Sequence, residues 1–448
     1  MIGSIAGGRA DPARNGPNPR YFPSMAWIAP VICITTCFGA TSDPAPPPPT
    51  PAMTPDQIRA IVASVLADAE MRSSLSDGPT AGFDGRFFIA DPESGFRLSF
   101  TGEFQGRYQA NLGANGEPGA TTDSEFDSGF YIRNLRLDFR GSIWGDLASF
   151  RVMPAYNRST GSMSVLDAYV DVKVSEVTIR FGQFALPFTR EHRVNPTRQL
   201  AAERSLNDAV FRPDRSQGIM AMRTWDRVRA WAAFSDGSRA ANTDMGSPEQ
   251  ADAALTGRIE ARLLEGAWEQ YINAFSVRTD APGLLLGAAA HWQIDGVTSA
   301  PSTYGDNPSM AMVTGDLTWK APGWTAMAAG VARHIAGDDD QSATDYGMVA
   351  QVGALVSDHF EVFGRYTHLW PGADRTGGTE DMGTIEIGGS WYLIPGSRVC
   401  RVTLQGIWLP DPQSASSSIV TAPNVALAIQ PDSSGGQVGL MLQVQMVF

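Results

Sequence analysis

The chain has 448 residues, 46 of them Gly and 30 Pro, with only 18% charged residues and a formal net charge of −13. That charge excludes a nucleic-acid partner held by a general basic field, while the length would allow a large core or two or three soluble domains. The cations are lopsided, 32 Arg against two Lys, Lys173 and Lys320; Arg keeps its charge in dehydrated surroundings and offers anions a planar fork of donors, although Arg-rich codon usage would give the same bias.

Residues 1–45 read as a secretory leader. MAWIAPVICITTCFGA (25–40) is a short apolar run behind Arg9, Arg14 and Arg20, too short to span a bilayer, with cleavage expected between Cys37 and Ala45. Met25 is an alternative start and Cys37 an alternative lipidation site; Cys400, the cysteine left over, reads as a small apolar filler. A Pro-rich linker (46–53) follows, then a helix over 54–75. Thr54, Pro55 and Gln57 supply a cap, a first-turn Pro and a capping-box partner, and Ile58, Ile61, Val62, Val65 and Ala69 form one stripe. That stripe needs a partner, either the same helix in two further copies as a small coiled coil or a surface of its own chain. Residues 76–94 read as a linker.

From residue 95 the period becomes two. In GFRLSFTGEFQGRYQA the apolar Phe96, Leu98, Phe100, Phe104 and Tyr108 alternate with Arg97, Ser99, Glu103, Gln105, Arg107 and Gln109. Sixteen such strands can be counted, starting near 95, 129, 147, 163, 177, 216, 227, 254, 283, 309, 324, 346, 359, 382, 398 and 438. Short turns and long polar loops alternate between them, and the clearest strands are long enough to cross a bilayer. Residues 265–282 break the rule: a short turn is due there and the segment is long. Eight of the eleven Trp residues (Trp144, Trp225, Trp292, Trp319, Trp324, Trp370, Trp391 and Trp408) fall near strand ends, as in the aromatic girdles of membrane barrels. The fold expected over 95–448 is therefore an all-β, transmembrane, antiparallel up-and-down barrel of about 16 strands with a short helix before it, rather than a soluble sandwich.

The final stretch VGLMLQVQMVF (438–448) puts Val438, Leu440, Leu442, Val444, Met446 and Phe448 on one parity. It looks like the signal that presents outer-membrane barrels to their assembly machinery, with Phe448 as its key residue, and closure matters because an open edge in hydrocarbon leaves backbone groups unpaired. VTIRFGQFALPFTREH (177–192), ERSLND (203–208) and RSQGIM (215–220) resemble the corresponding region of phosphate-selective porins O and P. The resemblance implies an outer-membrane homotrimer in contact with outer-membrane lipid, whose third external loop, here 185–215, folds inward as the constriction. It would pass small anionic or neutral solutes.

Arg190, Arg193, Arg198, Arg204, Arg212 and Arg215 of that loop outnumber Glu191, Glu203, Asp208 and Asp214 by two, and the expected constriction is these six arginines with Glu203. Arg97, Arg107, Arg136, Arg140, Arg151, Arg180, Arg258, Arg262, Arg365 and Arg401 lie on the lumen parity, where they either attract anions or pair with wall acids such as Glu103, Asp138, Glu260 and Glu361. Phosphate-specific relatives cluster lysines at the mouth, and this chain lacks them, so a general or anion-preferring pore is expected before a phosphate-specific one. A structural or adhesive barrel without transport is the alternative. The five His residues show no ligand spacing, and no GxSxG, CxxC or P-loop pattern occurs; GDDDQS (337–342) lacks the Glu an EF-hand needs. No enzyme activity, metal or cofactor is expected.

Overall fold

The computed structural model describes residues 80–448, apart from 92, 114–125, 146, 159, 280, 297–307, 338–340, 376–380, 413–418, 420–425, 431–432 and 434, together with seven positions between Thr54 and Ser64. The chain divides into two units, Met1–Ala67 and Asp68–Phe448. In the first, Asp56, Arg59, Ala60, Val62, Ala63 and Ser64 are helical. The leader with Cys37, the linker at 46–53, the helix beyond Ser64 and Asp338 to Asp340 lie outside the described residues.

The described part of the second unit starts with a hairpin, β1 (Ala81–Phe83) and β2 (Phe87–Asp91), within the stretch expected to be linker. Sixteen strands follow: β3 (Phe96–Leu112), β4 (Phe126–Ile143), β5 (Ala148–Tyr156), β6 (Met163–Val174), β7 (Val177–Ala185), β8 (Arg215–Thr224), β9 (Val228–Ser235) and β10 (Ala253–Arg262), then β11 (Gly283–Ile294), β12 (Ser309–Ala321), β13 (Trp324–Ala336), β14 (Ser342–Leu355), β15 (Phe360–Trp370), β16 (Met382–Tyr392), β17 (Cys400–Leu409) and β18 (Gln437–Val447). Each starts within four residues of its expected position. Every strand pairs antiparallel with the next, and β18 closes on β3 from Val438↔Leu112 to Val447↔Glu103.

The alternation read from the sequence is the alternation seen. Val438, Leu440, Leu442, Val444 and Met446 are exposed on the outside of β18, while Gln443 and Gln445 are buried inside. All eight Trp residues at strand ends are exposed. Trp144, Trp225, Trp319, Trp324 and Trp391 sit at the short-turn end of the barrel and Trp292, Trp370 and Trp408 at the long-loop end, which gives two girdles.

Because β3 has 17 residues and β18 has 11, the start of β3 runs on past the seam. Its bare edge would be open to unwanted pairing. The hairpin covers it, from Phe87↔Phe100 to Asp91↔Phe96. At the seam itself Phe448 N–H donates to the Gly102 carbonyl at 2.9 Å, and Gly102 N–H donates back at 2.5 Å. The Phe448 ring occupies the space a side chain at 102 would need, since a Cβ there would lie 2.3 Å from it.

Candidate functional site

The long connection between β7 and β8, residues 186–214, folds into the barrel. Its local structure follows from three capping residues: Thr189 caps α1 (Arg190–Arg193), Asn195 caps a 3-10 turn (Pro196–Arg198), and Ser205 caps α2 (Leu206–Phe211). Phe188, Leu206 and Phe211 then bury themselves against inward Met310, Met312, Val331, Ile335 and Leu369. The lumen wall of β11 to β18 is therefore partly apolar, because it holds a loop instead of water.

Ion pairs fix the loop to the wall at several further points. Glu203 Oε2 lies 2.5 Å from Arg133 Nε and 3.3 Å from Arg107 Nη2. Burial alone would push its carboxyl up; the guanidiniums of Arg133 and Arg107 outweigh burial and hold it well below the usual carboxylate range. Glu191 accepts from Ser205 N–H at 3.0 Å and from its hydroxyl. Burial, reinforced by the Asp208 charge, raises the Glu191 carboxyl despite Arg365 at 3.6 Å, whereas Asp208 stays depressed through His192, Arg212 and Arg204 against its own burial. Burial keeps the His192 imidazole down at about 3, so it is neutral near pH 7 and adds its charge to the pull on the neighbouring aspartates only in strong acid. For Asp214 the neighbouring Arg212 and His192 overcome burial and hold the carboxyl far below its ordinary value.

The connection between β10 and β11, residues 263–282, enters the lumen from the opposite end. A 3-10 turn (Trp268–Tyr271) leads it inward, and Tyr271 and Phe275 are buried. It meets the first loop directly: Arg190 donates to the Tyr271 carbonyl, Arg198 Nη1 to Asn273 Oδ1 at 2.6 Å, and Ala274 N–H to the Arg198 carbonyl at 2.8 Å. Lys320 Nζ donates to the Ala274 and Phe275 carbonyls at 3.2 and 2.9 Å, and Glu361 accepts from Ser276 N–H at 2.6 Å. This segment breaks the turn rule because it is a second inward arm.

What stays open is a cavity of about 490 Å³ between the two arms and the wall of β3 to β9. Twelve arginines line it against three carboxylates, Glu103, Asp138 and Asp167. From the expected constriction come Arg190, Arg193, Arg198, Arg204 and Arg215, and from the expected lumen set Arg136, Arg140, Arg151 and Arg180. Several are partly neutralised: Arg140 and Arg151 by Asp138 at 2.8 and 2.7 Å, Arg180 by Asp171 at 2.7 Å, and Arg215 by Asp167 at 2.9 Å. Arg136 and Arg198 instead donate to amide oxygens, those of Asn134 at 2.9 Å and Asn273 at 2.6 Å, and so keep charge to offer. Burial and the like charges of Arg398 and Arg86 lower the Arg198 guanidinium to about 10, and burial lowers Arg193 to about 9 against the pull of Glu260; both remain cations at neutral pH. A second cavity of about 700 Å³ on the short-turn side shares Arg86, Arg198 and Arg398 with the first.

Other expected site residues lie elsewhere. Glu203 and Arg212 do not line the cavity: Glu203 is a buried tether, and Arg212 pairs with Asp208 at 3.3 Å and Asp214 at 3.2 Å. Arg107, Arg258, Arg365 and Arg401 point inward but are sealed beneath the loops. Arg258 binds Glu260 and Asp316 at 2.9 and 2.8 Å, Arg365 pairs with Glu386, and Arg401 donates to the Gln199 carbonyl at 2.6 Å. Arg97 and Arg262 sit at the short-turn rim with Asp84 and Asp226. The sequence reading missed Arg86, Arg229 and Arg398. Arg229 was legible, since it shares the inward parity of Trp231 in VRAWAAF, whereas Arg86 and Arg398 lie in turns, where parity carries no signal. Among the described residues no His, Cys, Asp and Glu group could hold a metal.

Residues 102–273 match the family model described as phosphate-selective porin O and P, which bears out the resemblance over the first half of the barrel and both inward arms up to Asn273. No curated protein sequence matches the chain. Among solved structures, the anion-selective porin from Comamonas acidovorans shares the fold at a TM-score of 0.55 and 12% identity, covering 79% of this chain and 100% of its own. The outer-membrane protein OmpT of Vibrio cholerae gives 0.52 and 9%, covering 80% and 99%, and Salmonella typhi OmpF, solved with daunomycin, gives 0.51 and 11%, covering 79% and 98%.

Proposed function

Taking an outer-membrane porin barrel as the premise, we propose that this chain is a passive, anion-preferring diffusion pore for small hydrophilic solutes, with the loop at 186–214 and the turn at 263–282 as its constriction. The excess of twelve arginines over three carboxylates around one cavity inside the barrel carries this reading. In a narrow space of lowered dielectric that field raises anion occupancy and excludes cations, and guanidinium forks replace lost hydration. Inorganic phosphate belongs among the solutes as one anion of many, since lysine clusters are absent and several cavity arginines are already paired. Assembly as a homotrimer, and presentation of the last strand with Phe448 to the barrel-assembly machinery, belong to the same proposal.

The test is single-channel recording of the purified protein in planar bilayers under a KCl gradient. A reversal potential displaced toward that of chloride is expected. Displacement toward potassium would overturn the arginine argument, and a folded barrel without conductance would favour the structural alternative.

A further inference from the structure

Ten Trp residues fall within the described part of the barrel unit, and eight of them face outward at its two rims. The other two, Trp231 on the inner face of β9 and Trp268 on the 263–282 turn, both line the arginine cavity. Guanidiniums lie over their rings: Arg193 is 3.8 Å from the Trp231 ring centre, and Arg229 is 3.9 Å from that of Trp268. Farther along the same wall Arg180 lies 3.6 Å over the Tyr169 ring, and Tyr169 and Trp231 pack against one apolar cluster. Met153, Met220 and Met222 complete an apolar strip on the same wall.

A hydrated inorganic anion gains nothing from such a strip. Indole and thioether surface is favourable only for a ligand that brings apolar surface of its own, and the ring-stacked arginines are already engaged, Arg193 and Arg229 with Glu260 and Arg180 with Asp171. Resting on the reading of the barrel as an anion-preferring pore, we infer that this cavity is a binding site for organic monoanions with a planar apolar body, aromatic carboxylates being the class that fits. The charged head would meet Arg136 or Arg198, which among the described residues have no carboxylate partner within ion-pair distance, and the ring would lie along Trp231 and the methionines. The inward turn sets the specificity because it supplies Trp268 as the floor.

The experiment is block of the single-channel chloride current by benzoate and by acetate, which share charge and headgroup. Burying about 60 Å² of ring surface at the usual hydrophobic coefficient corresponds to about tenfold, so benzoate should half-block at about one tenth of the acetate concentration. Trp231→Ala should bring that ratio close to one. Because the ratio compares two anions in one channel, general changes in conductance cancel. If the Trp231→Ala chain fails to yield heat-modifiable barrels, Trp268→Leu reads the same quantity. Equal block by both anions in the unaltered channel, or an unchanged ratio in folded Trp231→Ala, would overturn the site while leaving anion preference intact. Absence of anion preference in the unaltered channel would instead refute the anion-preferring reading beneath it.

Discussion

Replacing Glu203 by Gln should loosen the inward loop without unfolding the barrel. Glu203 is buried between Arg133 and Arg107, and the Arg107 side chain is 0% exposed, so neutralising the carboxylate strands a buried guanidinium. Breaking a buried pair costs about 3–5 kcal/mol; here Gln keeps an acceptor and Arg107 retains Gln443 at 2.6 Å and two backbone carbonyls, so the lower end, about 3 kcal/mol, applies. That corresponds to roughly a hundredfold more time with the loop detached from the β3–β4 wall. The assay is current noise in single open channels at fixed voltage: quiet for the natural sequence and flickering for Glu203→Gln at neutral pH. The pH dependence has a definite sign. A carboxyl depressed in the folded state stabilises at pH above its unfolded value, about 4.3, and the contribution is lost as pH falls through the lower folded value. The natural channel should therefore stay quiet near pH 5 and flicker only in stronger acid, while the variant flickers throughout. A quiet, correctly folded Glu203→Gln channel would refute the role of Glu203 as a tether.

Two further outcomes test closure and constriction. Gly102→Ala should destabilise the barrel by about 1–3 kcal/mol through an overpacked contact with Phe448, read as a lower temperature for loss of its folded electrophoretic mobility, whereas Gly257→Ala, whose Cβ would meet nothing nearer than 3.8 Å, should leave that temperature unchanged; equal shifts would refute the seam argument. Shortening 265–281 to a tight turn, with Lys320→Met to avoid stranding an ammonium without its carbonyl partners, should raise single-channel conductance about twofold or more, and unchanged conductance in folded barrels would exclude this segment from the constriction.

Strands were legible because a wall between lipid and lumen imposes period two over lengths that no loop imitates. Val438 to Met446 and the eight rim Trp residues carried that signal directly. Two kinds of feature escaped. The hairpin at 81–91 exists only because β3 overhangs β18, a consequence of barrel stagger that no local pattern records. Among the arginines, parity told which ones turn inward but could not tell which meet water, because that depends on where the two inward arms lie. Arg136 and Arg258 share the inward parity on different strands; one lines the cavity and the other is sealed against Glu260 and Asp316.

The two inward arms also explain the scarcity of lysine better than codon usage does. They divide the lumen into a sealed side, along β11 to β18, and an open side, along β3 to β9. On both sides a cation must be held firmly by whatever is near: a carboxylate, a carbonyl, or an aromatic face. A guanidinium can use two or more of these at once and keep its charge, as Arg107 does with Glu203, Gln443 and two carbonyls, and as Arg193 does with Trp231 and Glu260. An ammonium is a compact, strongly hydrated point that loses more on burial. Lys320 is the lysine on the sealed side, and it is caged by backbone carbonyls, away from any passage. The other, Lys173, is exposed at the short-turn rim. The pore's positive field is therefore built from side chains that double as struts. For the same reason, removing a single cavity arginine should alter loop position as well as charge, so selectivity is best tested by ratios between anions in one channel.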